Sequence, residues 1–196
     1  MRRLLFVAVI VIACAPAAMG QGITGFVGGS EFVIFYGDST GDVVGFRFQV
    51  TAPLEIAMLG VWNADTNAGG AGLTSTHQVG IWDGSQNPVA SVVVDPATGT
   101  VIGDWTYESV TPVTLTPGQT YTAGVLYTAT DNDSYISSAT SVTTDPNVQF
   151  LNAVFPSEGN LGFVFPTEDS LGSNGRFGPN FTFSVVPVEL QSFSVE

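Results

Sequence analysis

The chain has 196 residues with 17 acidic against four basic side chains, a formal net charge of −13, and no lysine. Such a charge repels phosphate polymers and anionic lipid, which excludes nucleic-acid binding. A single cysteine excludes a disulfide framework, so stability must come from a hydrophobic core, and the length suits one domain.

The first 20 residues read as a secretory signal peptide. Arg2 and Arg3 form a positive start, Leu4 to Ala13 an apolar stretch, and Cys14 to Gly20 a small-residue end. The stretch is too short and wrongly flanked to span a bilayer as a helix. Cleavage is expected before Gln21. A lipobox-like run, Val11 to Cys14, offers the alternative of a lipid anchor on Cys14. Loss of the leader removes two of the four basic residues, leaving Arg47 and Arg176. No later segment approaches the ~18 consecutive apolar residues of a spanning helix.

From residue 22 to 187 the chain reads as one all-β domain, followed by a short tail over 188–196. Helical periodicity is nearly absent, and turn residues recur about every 8–12 positions. That spacing predicts an antiparallel β-sandwich of about eight to ten strands. Gly37-Asp38-Ser39-Thr40-Gly41 comes first and fits the G-x-S-x-G pattern of a nucleophilic serine. It also resembles the first block of the SGNH esterases. A nucleophile elbow needs a helix after the serine, but "DVVGFRFQV" (42–50) alternates as a strand, with Val44, Phe46, Phe48 and Val50 on one face. The asparagine block and the late histidine block that the resemblance would require are both missing. Ser39 therefore reads as a turn residue, and serine hydrolysis is a remote alternative.

"PLEIAMLGVW" is apolar on both faces and should be a central strand. "STHQVGIWD" puts His77, Val79 and Ile81 inward and Trp82 on the opposite face, and "DGSQN" turns the chain into "PVASVVV". "DWTYESV", then "PVTLTPGQTYTAGVLY" as two strands around Pro117-Gly118, and finally "LGFVF" and "GPNFTFSVV" complete the series. Segments 64–72 and 128–146 are polar and read as loops.

His77 is the only histidine, and its place beside Val79 and Ile81 reads as a buried, neutral, hydrogen-bonded ring. Asp65 with Asn67, and Asp131 with Asp133, set oxygen ligands at short spacing in loops. They are candidates for a structural calcium ion, although neither completes a D-x-[DN]-x-[DN]-G loop. No other cofactor is indicated. Trp62, Trp82, Trp105 and Tyr107 are candidates for stacking on sugar rings. The competing expectation is that they fill the core, and for Trp82 that a loop such as 128–146 covers it.

Three blocks taken together, "GLTSTHQVGIWDGSQNPVAS", "PVTLTPGQTYTAGVLY" and "GRFGPNFTF", resemble a family of secreted bacterial β-sandwich domains of unknown function. Related domains occur in PEP-CTERM-sorted surface proteins. The resemblance implies a jelly-roll-like fold with no established catalytic residues, although this chain shows no PEP motif. The expectation is a secreted, non-catalytic binding module for an extracellular glycan or surface polymer. A structural or adhesion component of the cell exterior is the alternative.

Overall fold

The computed structural model describes residues 19–33, 40–64, 72–156, 159, 161–170 and 175–187. Ser39, Asp65 and Asn67, with Cys14 and most of the leader and tail, lie outside the described residues. Among those described, the chain is all-β with no helix, and no helix is long and apolar enough to cross a membrane.

The strands are β1 (Gly20–Gln21), β2 (Ile23–Phe32), β3 (Asp42–Val50), β4 (Leu54–Trp62) and β5 (His77–Trp82). Next come β6 (Pro88–Val94), β7 (Thr100–Ile102), β8 (Trp105–Leu115), β9 (Thr120–Tyr127) and β10 (Tyr135–Thr144). The chain ends in β11 (Val148–Phe155), β12 (Glu168–Ser170), β13 (Arg176–Phe177) and β14 (Pro179–Val185). Ten of these are six residues or longer, and the other four are short additions at sheet edges.

One sheet runs β1-β14-β4-β8-β7, a second β12-β11-β3-β9-β5-β6, and a smaller third β13-β10-β2. All their ladders are antiparallel. The two large sheets pack face to face. Phe48 of β3 stacks on Phe181 of β14 with ring centroids 4.7 Å apart, and Phe46 meets Phe177 of β13 at 6.1 Å. The alternation expected for β3 holds, since Val44, Phe46, Phe48 and Val50 are all buried in this core. β4 lies between β14 and β8, the central place its two apolar faces require.

Two segments differ from the sequence reading. Residues 135–144 are not loop but the ten-residue strand β10, paired with β2 and β13. Its serines and threonines hide the alternation, and a bulge between Ala139 and Ser141, beside Ser138 at φ 57°, breaks the period of two. Conversely, "LGFVF" (161–165) forms no strand. It crosses the outer face of the six-stranded sheet as a strap.

The strap has a seat prepared for it. Gly80 of β5, Gly124 of β9 and Gly45 of β3 stand in register across three adjacent strands. Their missing side chains leave a trough. A Cβ on Gly80 would come within 2.8 Å of Phe163, and one on Gly124 within 2.6 Å of Val43 and 3.1 Å of Trp82. Trp82 lies in this trough under Phe163 at 5.1 Å and against Phe165 at 6.2 Å. Arg47 sits 5.9 Å over Phe165 and pairs with Asp169 of β12 at 2.5 Å, fastening the far end of the strap.

Candidate functional site

The four aromatic side chains considered for sugar stacking are all buried, from 0% exposed for Tyr107 to 6% for Trp62. None presents a ring face to solvent, so they form no sugar platform. Trp82 does point away from the inner core, as the alternation requires, but the strap 161–165 covers it rather than segment 128–146. Trp62 and Trp105 are register partners packed edge-to-face at 5.0 Å, with Phe26 of β2 against both. Their indole N–H groups have no hydrogen-bond partner, and the T-shaped packing is the setting in which an N–H faces a neighbouring ring.

Asp131 and Asp133 are turned to protein donors rather than outward to a cation. Asn132 between them takes φ 59°, a left-handed conformation that asparagine tolerates better than most residues. The turn directs both carboxylates back into the domain. Asp131 Oδ2 accepts the backbone N–H of Thr128 at 2.6 Å, which closes the loop on itself. Asp133 Oδ1 accepts the Thr74 N–H at 2.8 Å and the Thr74 hydroxyl at 2.7 Å, while Oδ2 accepts the Ser75 N–H at 2.9 Å. Asp133 Oδ2 also faces His77 Nε2 at 2.8 Å, and His77 Nδ1 faces the Leu126 carbonyl at 2.8 Å. Among the described residues no three acidic, histidine or cysteine side chains are arranged to hold a metal ion.

His77 is buried and hydrogen-bonded, as expected. Both ring nitrogens are engaged, one with a carboxylate and one with a backbone carbonyl. This leaves no ring nitrogen directed at a nucleophile, so His77 works as a clasp between the start of β5 and the loop before β10.

The electrostatics of the two carboxylates differ. Burial pushes the Asp133 carboxyl up, but hydrogen bonds from His77 and Thr74, with the histidine's charge, outweigh it and hold the group below the usual carboxylate range. For Asp131 burial prevails over the Thr128 hydrogen bond and the nearby histidine, and the carboxyl is raised. A lowered carboxyl contributes stability that is present above its unfolded value of about 3.9 and is lost as pH falls through the folded value. Asp131 acts in the opposite sense, because its charged form costs stability that protonation restores. Asp133→Asn isolates the first effect. The gap in melting temperature between wild type and this variant should narrow as pH is lowered from about 5 towards 2. A gap that stays constant over that range would contradict the assignment.

The clasp stands beside a cleft at the same end of the sandwich. Tyr127, at the end of β9, packs on His77 at 4.8 Å and on Tyr135 at 5.6 Å, and its hydroxyl donates to the Ser134 carbonyl at 3.1 Å. Tyr135 is thereby fixed as one wall of a recess of about 280 Å³, whose other walls include Phe32, Phe155, Pro156, Asp42 and Arg176. Antiparallel pairing gathers these residues. β2 and β11 end there, and β3 and β10 begin there, with Phe32 opposite Tyr135 in register. The Arg176 guanidinium lies 4.6 Å over the Phe155 ring and donates from Nη1 to the Tyr135 hydroxyl at 3.1 Å. Its volume lies near the lower end of ligand pockets, which run to about 300–1,000 Å³. Rings for stacking, a cation and a carboxylate thus converge on one small recess.

Sequence reasoning named none of these cleft residues as a site. They are spread from position 32 to 176 with no short-range spacing, and they meet where the third sheet, with Phe32, Tyr135 and Arg176, adjoins strands β3 and β11 of the six-stranded sheet, with Asp42 and Phe155.

Fold and site together define an antiparallel all-β sandwich domain with an aromatic cleft at one end. The chain belongs to a family of domains of unknown function, DUF4082, whose model matches residues 33–176. No curated protein and no solved structure matches it.

Proposed function

We propose that this chain is a secreted, non-catalytic β-sandwich module that binds an extracellular carbohydrate or surface polymer in the cleft beside Tyr135. The observation that carries this reading is the convergence of Phe32, Tyr135 and Phe155 with the polar heads of Arg176 and Asp42 in a recess large enough for a sugar ring. Aromatic faces suit the C–H faces of sugars, and a few polar groups among apolar walls fix orientation. The leader-like first 20 residues, and the resemblance of the sequence blocks to domains of PEP-CTERM-sorted proteins, accord with a place at the cell exterior.

A second reading is a structural or adhesion component, favoured by exposed valines on edge strands: Val27 of β2, Val93 of β6 and Val101 of β7. The two readings part in one experiment. A glycan array probed with the folded protein, with and without calcium, should show selective binding that Phe155→Ala weakens about tenfold or more. Concentration-dependent assembly with no glycan retained would favour the structural role.

A further inference from the structure

The charge state of the cleft says more about its ligand than its shape does. Beyond the leader the chain has two basic side chains, in company with 17 acidic ones. Arg47 behaves as expected in such company and pairs with Asp169. Arg176 does not. Among the described residues no carboxylate lies within ion-pair range of it, although Asp42 lines the same recess. It is held instead by the face of Phe155 and the hydroxyl of Tyr135.

A guanidinium has five N–H donors in a rigid fork, and the contacts just named use one of them. Ring stacking and the phenol hold its orientation, so little further ordering is required when a ligand arrives. A neutral sugar could accept hydrogen bonds from the fork but would leave the positive charge without a counterpart. A carboxylate accepts two parallel, charge-assisted bonds and balances it.

We infer that the sugar bound here carries a carboxylate, as a uronic acid does, and that Arg176 is the residue that selects it. The inference rests on the binding role proposed above and adds the chemistry of the ligand. A uronate offers a carboxylate to Arg176 and a C–H face to Phe155 and Tyr135. An acidic peptide offers the first without the second. The chain's net negative charge opposes the approach of an anion, and in physiological salt that repulsion is screened beyond about 8 Å. Asp42, inside the recess, is not screened, so the two-bond contact with Arg176 must outweigh its repulsion.

The test compares trigalacturonate with its fully methyl-esterified form, which keeps the rings and removes the charge. Calorimetric titration of the wild-type protein should find trigalacturonate tighter by about tenfold or more, the scale of a charged hydrogen-bonded contact. Arg176→Gln should abolish that preference while its melting curve remains cooperative, and Arg176→Lys, which keeps the charge without the fork, should recover part of it. The comparison within wild-type protein stands even if the variants fold poorly. Equal binding of acid and ester, or tighter binding of triglutamate than of trigalacturonate, would overturn the carboxylated-sugar ligand. If neutral glycans on the array are bound at the same time, the binding role survives that failure. Retention of no glycan of either kind would overturn both.

Discussion

Asp133→Ala is expected to lower the stability of the domain by about 3–5 kcal/mol, the cost of removing the charged centre of a buried hydrogen-bond network. The reason lies in what the carboxylate satisfies. It is almost fully buried and receives the Thr74 N–H and hydroxyl, the Ser75 N–H and His77 Nε2. Alanine would leave each of these donors in the interior without an acceptor, and a buried donor left unpaired costs more than the bond it made. For a chain of this size the change corresponds to a fall in melting temperature of about 10 °C or more. His77→Leu combined with Asp133→Leu should cost less than the sum of the two single changes, because the second substitution removes a group the first had stranded. Additive effects in that cycle would mean that the clasp is not one unit. The loss should also reach the cleft, since Tyr127 links His77 to Tyr135.

Trp82→Ala should cost a similar amount, about 3–5 kcal/mol, as large aromatic truncations in packed interiors do. Trp82 fills the trough over Gly80 and Gly124 and supports Phe163 and Phe165 above it. Its removal empties that trough and loosens the strap over the outer face of the sheet. Ligand binding should be unaffected. Trp82 pairs with Thr122, whereas the cleft stands at the Tyr127 end of the same strand, roughly 17 Å away at strand spacing. A variant that keeps its unfolding midpoint but loses glycan binding would reverse this assignment and make Trp82 the sugar platform.

These residues also show where the sequence could be read and where it could not. β3, β5 and β9 were legible because one face of each packs on the core, so their apolar side chains alternate. The turns at Asp83–Asn87 and Pro117–Gly118 were legible because they depend on local chemistry. In the first, Asp83 Oδ1 accepts the N–H groups of Ser85 and Asn87, and in the second Gly118 takes φ 76°. β10 was hidden by serine and threonine and by its bulge. The strap at 161–165 looked like a strand because Phe163 and Phe165, two positions apart, both face a sheet, which periodicity over five residues cannot distinguish from belonging to one. Trp82 could be placed on its face from the alternation alone, but its cover, some 80 residues later, could not.

The same limit applied to the polar residues. His77 and Asp133 were each conspicuous, the first as the sole histidine and the second in a short acidic loop. Their pairing across 56 positions follows from β5 lying beside β9, whose end leads into that loop. The cleft was less accessible still. Phe32, Asp42, Phe155 and Arg176 carry no mutual spacing, and they are assembled where the third sheet meets β3 and β11 of the six-stranded sheet.

Whether this cleft is a binding site is decided by paired glycan-array measurements on wild-type and Phe155→Ala protein, with melting curves confirming that both are folded. The wild type should selectively retain a subset of glycans, and the variant should hold them about tenfold or more weakly. Retention that Phe155→Ala leaves unchanged, or an array on which the folded wild type binds nothing, would contradict a binding role for the cleft.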